Sequence, residues 1–132
     1  TNIEEDHLDF YKDIDDIAHA FARFCALLPE NGVCIGNGDD PRVAALLGRQ
    51  TCRTVSYGLG QDNQWRPLNL RYDETGCAEF DFALADKPVA HTHLRVPGAF
   101  NVMHALATMA ACVEAGAQPE VARAFRRPAP PV

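Results

Sequence analysis

Apolar residues recur at helical spacing in two long stretches of the chain. Between Asp13 and Leu28 they fall three and four positions apart, and the same spacing returns between Val102 and Val113. A recurrence at i, i+3, i+4 and i+7 is typical of a helix with one buried face. The sequence therefore predicts two long amphipathic helices, the first capped by Asp13 and the second ending at Gly116.

After the first of these helices the pattern alternates between strand and helix. A short apolar run at 33–35 is followed by a glycine-rich break. Asp40 and Pro41 can then begin a short helix that ends at Gly48. Residues 51–57 are rich in β-forming side chains and predict a second strand. The order helix, strand, helix, strand predicts parallel βα units.

The middle of the chain changes to a period of two. Three strand-like runs extend from Trp65 to Val96, separated by turn residues at 73–76 and 86–88. Consecutive strands joined by tight turns form an antiparallel meander. We therefore expect an α/β fold in which parallel βα units are followed by a three-stranded antiparallel meander and a long helix.

Length and composition fit one folded unit, because 132 residues with 47% hydrophobic content can bury a core. We expect that unit at residues 1–125, with a short helix at 119–124 and a proline-rich tail or linker at 126–132. The formal net charge of −6 disfavours nucleic acid or an anionic membrane surface as a partner. No apolar run is long enough to span a bilayer. Five widely spaced cysteines fit a reduced, cytoplasmic chain.

Two groups of residues could carry chemistry. His7 lies among acids in TNIEEDHLDFY, in the connection before the first helix, and ligand sites of α/β sheets lie at such strand ends. It is a Mg²⁺ ligand beside carboxylates, part of a solvated acidic loop, or part of a helix-capping cluster. Asn101, His104 and Thr108 share one face of the second long helix. They either read a nucleotide base or form an ordinary hydrated face, and spacing alone favours the hydrated alternatives.

A further pair, His91 and His93, lies on one face of a predicted strand and could in principle bind zinc. The sequence shows no third ligand, so a solvated strand face is favoured. The lysine-containing phosphate loop G-x-x-x-x-G-K-[ST] and the nucleophile elbow G-x-S-x-G are both absent.

Four segments resemble the second half of the central, ATP-binding domain of the Mur ligases. They are TNIEEDHLDFYKDIDDIAHAFARF, LLPENGVCIGNGDDPRV, VSYG and LRVPGAFNVMHALATMAACVEAG, and they run in order from Thr1 to about Ala124. The blocks N-x-x-x-D-H-x-D, N-x-D-D-P and P-G-x-x-N-x-x-x-A-L-A are jointly specific. Within the family, the resemblance is to the branch that adds L-alanine to UDP-N-acetylmuramate.

The resemblance implies a reaction in peptidoglycan precursor synthesis, with ATP and Mg²⁺ as cofactors. ATP phosphorylates the muramoyl carboxylate, and the amine of L-alanine attacks the acyl phosphate to form an amide. By the family pattern His7 helps to hold Mg²⁺ and Asn101 lies next to the adenine. Phe100 stands where many relatives have histidine, and His104 where the adenine-reading asparagine is usual. An imidazole can make one hydrogen bond to adenine but not the two-pronged contact of an amide.

Departures from the family pattern narrow this expectation. Later-acting relatives carry a carbamylated lysine on the first helix, where this chain has Ala22, Arg23 and Phe24, which fits the alanine-adding branch. The UDP-binding first domain, the phosphate loop and the C-terminal domain are missing. Because the chain also begins at Thr1, we expect an internal fragment that is inactive alone and meets UDP-N-acetylmuramate and L-alanine through the missing domains.

Three further expectations stay open. Missing neighbouring strands would expose a sheet edge through which two copies could associate. A non-catalytic α/β binding module is the alternative of a different class. Another Mur-type ligase or a folylpolyglutamate-type ligase is the alternative within the enzyme class.

Overall fold

The computed structural model describes Ile3 and residues 12–122. His7, the end of the predicted last helix and the predicted tail at 126–132 lie outside the described residues. The described elements, in chain order, are α1 (Ile14–Cys25), β1 (Val33–Asn37), α2 (Pro41–Gly48), β2 (Arg53–Tyr57), β3 (Trp65–Tyr72), β4 (Cys77–Leu84), β5 (Lys87–Pro97), α3 (Phe100–Glu114) and α4 (Pro119–Ala122).

The strands form one mixed sheet in the order β1-β2-β3-β4-β5. β1 and β2 are parallel along their whole lengths, and β3, β4 and β5 form antiparallel pairs. The predicted parallel βα units and the antiparallel meander are therefore both confirmed. The sequence did not predict how they join: β2 and β3 are parallel and meet at a single register pair, Tyr57 with Trp65.

Helix boundaries follow their capping residues. The Asp13 carboxylate accepts a hydrogen bond from the Asp16 N–H at 2.9 Å, which confirms the predicted N-cap of α1. α1 ends at Cys25, three residues before the predicted end. The backbone continues only as turns, with the Leu28 N–H donating to the Cys25 carbonyl at 3.1 Å. Pro29 accounts for the early end, because the residue before a proline is disfavoured in the helical conformation.

Helices cover both faces of the sheet. α3 packs on one face over the larger core, and α1 and α2 pack on the other over a smaller one. β1 alternates between the two, since Val33 and Ile35 pack against the larger core and Cys34 belongs to the smaller one. The largest fully buried side chains all belong to the α3 side and are Trp65, Phe80, Val102, Leu106 and Met109.

Two observations bear on the expected environment of the chain. All five cysteines carry free thiols. Among the described residues, no helix combines the length and apolar character that crossing a membrane requires.

Candidate functional site

A cavity of about 240 Å³ lies between α3, β5 and α4, and it brings together the three polar residues predicted to share one helix face. Asn101, His104 and Thr108 all line it. The opposite wall consists of inward-facing residues of the meander, which makes the rest of the cavity mainly apolar. This wall is formed by Phe82, Thr92, Leu94 and Val96.

Local hydrogen bonds decide which polar atoms of this cavity can meet a ligand. The Asn101 Nδ2 donates to the Pro97 carbonyl at 2.8 Å, and the Thr108 hydroxyl donates to the His104 carbonyl at 2.8 Å. The Asn101 amide is thereby fixed with its Oδ1 left as an acceptor. The exposed imidazole of His104 adds a group that can donate or accept one hydrogen bond. A planar ligand with both donors and acceptors fits this set.

An aromatic pair stands beside the cavity. The Phe100 and His104 ring centroids are 5.7 Å apart with an interplanar angle of 71°, an edge-to-face contact. The Phe100 ring is 64% exposed and offers an apolar surface at the start of α3. Gly98 permits this arrangement: its φ is +112°, and a Cβ atom there would lie 2.8 Å from the Phe100 ring. The Phe100 surface can stack against a base.

A second polar cluster lies where β1 and β2 end. The Asp39 carboxylate accepts hydrogen bonds from the Leu59 N–H at 2.7 Å, the Gly60 N–H at 3.0 Å and the Asn63 side-chain amide at 2.9 Å. These contacts join the loop after β1 to the loop after β2. Ligand sites of parallel sheets lie at this edge, so Asp39 sets the shape of a region where chemistry is expected.

Asp40, the next residue, uses its two oxygens for two segments. Oδ1 accepts from the Arg42 N–H at 2.9 Å and caps α2, as predicted. Oδ2 accepts from the Ile3 N–H at 2.9 Å. This bond fixes the chain at Ile3, four residues before His7, at the same edge of the sheet. The predicted metal ligand His7 itself lies outside the described residues.

Sequence reasoning assigned no role to Asp39. Two sequence features could have indicated one: two consecutive acids follow the first buried strand, and spaced glycines follow the second strand in SYGLGQ. A Cβ atom at Gly58 would lie 2.6 Å from the Asp39 carboxylate, and one at Gly60 would lie 2.9 Å from it. These glycines therefore admit a carboxylate rather than a phosphate in this structure.

The two strand histidines lie on the outer face of the meander, as predicted. The His91 ring contacts Asp81 at 2.7 Å through Nδ1 and Glu79 at 3.0 Å through Nε2. The His93 Nε2 contacts Asp73 at 2.7 Å. Both histidine side chains are about half exposed. The favoured interpretation of a solvated strand face is thus confirmed.

These contacts change the pKa values of the titratable groups on this face. Hydrogen bonds that the His91 ring donates to Asp81 and then to Glu79 raise the pKa of His91. The pKa of Glu79 is lowered, first by Arg71 and then by His91, and that of Asp81 is lowered by Asn69 and then His91. Across Ile3 and residues 12–122, no three His, Cys, Asp or Glu side chains come together as a metal-binding group. The face is an ion-pair network.

Comparison with known families decides the ancestry of the fold. The family model described as "Mur ligase middle domain" matches residues 1–112. The chain belongs to the Mur ligase middle-domain family. The family resemblance expected from the sequence blocks is confirmed.

Curated relatives agree with this assignment. A UDP-N-acetylmuramate–L-alanine ligase of Clostridium beijerinckii is 41% identical over 108 residues, which are 82% of this chain and 24% of that protein. The ligase of the same name from Acetivibrio thermocellus is 38% identical over 87% of this chain and 25% of its own length. The Mur ligase middle domain described here thus spans about a quarter of the curated relatives it matches.

Solved structures support the fold. MurF from Acinetobacter baumannii superposes with a TM-score of 0.79 at 19% identity, covering 98% of this chain and 28% of that one. The UDP-N-acetylmuramate-alanine ligase of Thermotoga maritima gives a TM-score of 0.71 at 20% identity, covering 92% and 27%. At these identities the similarity concerns the Mur ligase fold alone.

Proposed function

We propose that this chain is the second half of the ATP-binding central domain of a ligase that joins L-alanine to UDP-N-acetylmuramate. The observation that carries the proposal is the agreement among relatives 32–41% identical over most of the chain, each a UDP-N-acetylmuramate–L-alanine ligase by name. The absence of a lysine at Ala22, Arg23 and Phe24 supports the same branch.

The cavity beside α3 supports a nucleotide-binding role. We assign the adenine of ATP to this region, with Asn101 Oδ1 and the His104 imidazole as hydrogen-bonding groups and Phe100 as an apolar surface for the base. The fixed orientation of the Asn101 amide and the edge-to-face contact of Phe100 with His104 fit this role. Because imidazole replaces an amide at position 104, base recognition through this residue is limited to one hydrogen bond.

We assign His7 as a Mg²⁺ ligand. Within the described residues, the support for this role is indirect: Asp40 fixes the Ile3 amide at the carboxyl edge of the parallel strands. Bound Mg²⁺ would neutralise phosphate charge during transfer. The oxygens that Mg²⁺ prefers would come from carboxylates, water and the phosphates themselves.

The proposed reaction has two steps. A carboxylate oxygen of UDP-N-acetylmuramate attacks the terminal phosphorus of ATP, releasing ADP and forming an acyl phosphate. The amine of L-alanine then attacks the acyl carbon and expels phosphate, which leaves an amide. The chain spans about a quarter of its relatives' length, and we expect the substrates to bind through the remainder, so the 132 residues alone are expected to be inactive. We place the reaction in the cytoplasm, as part of peptidoglycan precursor synthesis.

The test uses the full-length protein that contains this chain. Phosphate release is measured with ATP, Mg²⁺ and UDP-N-acetylmuramate, with and without L-alanine. Release that requires L-alanine supports the ligase proposal, and release indifferent to it contradicts the proposed acceptor. His7→Ala is expected to lower the rate at least tenfold, whereas His93→Ala, on the outer face of the meander, is expected to keep it within about twofold.

His104→Asn tests the base site separately. Restoring the amide is expected to lower the KM for ATP, because asparagine can form two hydrogen bonds to adenine. An unchanged KM for ATP would remove His104 from the base site and leave the ligase proposal intact.

Self-association of the isolated chain is also a proposal. β1 is an edge strand of the described sheet, and an unpaired edge can pair with a second copy. Sedimentation velocity of the 132-residue chain is expected to show a concentration-dependent dimer. A purely monomeric profile up to about 100 μM would contradict it.

A further inference from the structure

A groove lies between α1 and α2, on the face of the sheet opposite the proposed nucleotide cavity. It encloses about 360 Å³ and has the buried Ile3 in its lining. The small side chains of Ala18, Ala22 and Ala45 leave it open, because methyl groups cannot fill the space between two helices. The groove is large enough for a small polar ligand.

The polar residues of the groove are two arginines, one histidine and one aspartate, and all four are exposed. Arg42, in the first turn of α2, and Arg49, the C-cap residue just after α2, both line it, with His19 from α1. This is notable in a chain with a net charge of −6. Neither groove arginine has a carboxylate partner within the part of the chain that the structure describes, where the arginine ion pairs are Arg53–Glu114, Arg66–Asp86 and Arg71–Glu79.

Local stability does not explain the position of Arg42. It lies in the first turn of α2, where the helix dipole disfavours a positive charge. That turn contains no acidic residue, and both oxygens of the preceding Asp40 are already bonded to backbone N–H groups. An anion in the groove would relieve this unfavourable placement.

We propose that the α1–α2 groove binds a phosphate group. Guanidinium groups present several donors that match the oxygens of phosphate. Arg42, in the first turn of α2, and Arg49, its C-cap residue, both line the groove and would donate to the anion, and His19 lines it from α1. Asp15 also lines the groove and repels anions, so one phosphate group is expected rather than several. This site is separate from the adenine cavity and does not depend on the ligase reaction.

The test follows amide chemical shifts of the 132-residue chain during titration with inorganic phosphate, at constant ionic strength balanced with chloride. Saturable shifts confined to α1 and α2 are expected. The double variant Arg42→Ala/Arg49→Ala is expected to weaken binding at least tenfold. Ala45→Leu keeps both charges but fills the groove, and it is expected to weaken binding comparably. The matched control Arg95→Ala removes an exposed charge on β5 and is expected to change affinity less than twofold.

Other outcomes overturn the proposal. Shifts that rise linearly without saturation, or equal loss of binding in the Arg95→Ala control, would show general charge attraction. Retained affinity in Ala45→Leu would place the anion outside the groove. A parallel titration with glycerol 3-phosphate identifies the source: tighter binding than inorganic phosphate assigns the group to a phosphorylated small molecule, and equal binding assigns it to free phosphate.

Discussion

The two faces of the sheet are packed to different degrees. On the α3 side, Trp65, Phe80 and Leu106 are at most 1% exposed, whereas the core residues of the α1–α2 side are 5–9% exposed. Phe24 and Leu27, at the end of α1, remain 72% and 81% exposed. Within the described chain, the centre of the α3 face is therefore the more tightly packed, with the proposed adenine cavity at its margin, and the α1–α2 face keeps apolar surface and an open groove. Stability should depend mainly on the first face.

The largest expected effect compares one leucine from each face. Leu106→Ala is expected to lower the free energy of unfolding by about 3–5 kcal/mol, because it leaves a cavity in a fully packed core. Leu47→Ala, at a side chain 8% exposed that lines a cavity of about 290 Å³ between α1, β1 and α2, is expected to cost about 1–3 kcal/mol. Urea denaturation of both variants measures the difference. Equal losses would contradict the contrast between the faces.

A smaller effect is expected at the carboxyl ends of β1 and β2, where the Asp39 carboxylate joins two loops. Asp39→Ala leaves the Leu59 and Gly60 N–H groups without their acceptor and is expected to cost about 1–2 kcal/mol. Asp39→Asn keeps one oxygen and should cost less. Hydrogen exchange of the two amides measures the local change. Asp62→Ala, an exposed acid in the same loop, serves as the control, and matching exchange rates in that variant would refute the role of Asp39.

The outer face of the meander provides a test that should be independent of both cores. The raised pKa of His91 stabilises the fold below about pH 6.5 and ceases to do so as the pH rises through the folded value. The lowered pKa values of Glu79 and Asp81 stabilise it above about pH 4.5 and lose effect on acidification. The ion-pair network therefore contributes most to the stability of the fold between about pH 4.5 and 6.5.

His91→Gln is accordingly expected to lower the melting temperature by roughly 1–3 °C at pH 5.5 and by less at pH 9. Thermal unfolding in chloride buffer measures the difference. His19→Gln, an exposed histidine on α1, is the matched control. A His91→Gln deficit that grows towards pH 9 would contradict the protonated state assigned to the network.

The smallest effect on stability is expected on the α1–α2 face. Phe24→Gln is expected to change the free energy of unfolding by less than about 0.5 kcal/mol, because the ring is already mostly in water. Urea denaturation checks this against Leu47→Ala. A loss of 2 kcal/mol or more would mean that Phe24 is buried in solution, for example by a second copy.

Much of the architecture could be predicted because short-range signals agree with it. Asp13 and Asp40 cap helices where the sequence indicates, and alternation predicts the meander. The turn between β4 and β5 lies at Ala85 and Asp86, earlier than the predicted 86–88, and Lys87 and Pro88 belong to β5. Ala85 and Asp86 adopt φ values of +49° and +67°, as in a two-residue hairpin turn, without the usual glycine or asparagine. Cross-strand packing holds this conformation, and a local pattern cannot show that.

The candidate site, too, could be predicted from the sequence only in part. Helical spacing placed Asn101, His104 and Thr108 on one face, and the structure puts them in one cavity. The Asp39 contacts join residues twenty or more positions apart, so periodicity could not predict them. The carboxylates beside His91 and His93 come from the neighbouring strand β4 and the turn before it. Their proximity depends on strand register, which the sequence leaves open.

The single pair that joins Tyr57 to Trp65 has a consequence for how the chain opens and closes. The meander is built from neighbouring hairpins, whereas β1 and β2 are separated by a helix, so the meander has the lower cost of loop closure. With one register pair between them, the two parts communicate mainly through α3, which packs on β1, β2, β3 and β5. We therefore expect two cooperative units that share one helix, and the β1–β2 unit should exchange its amide hydrogens first.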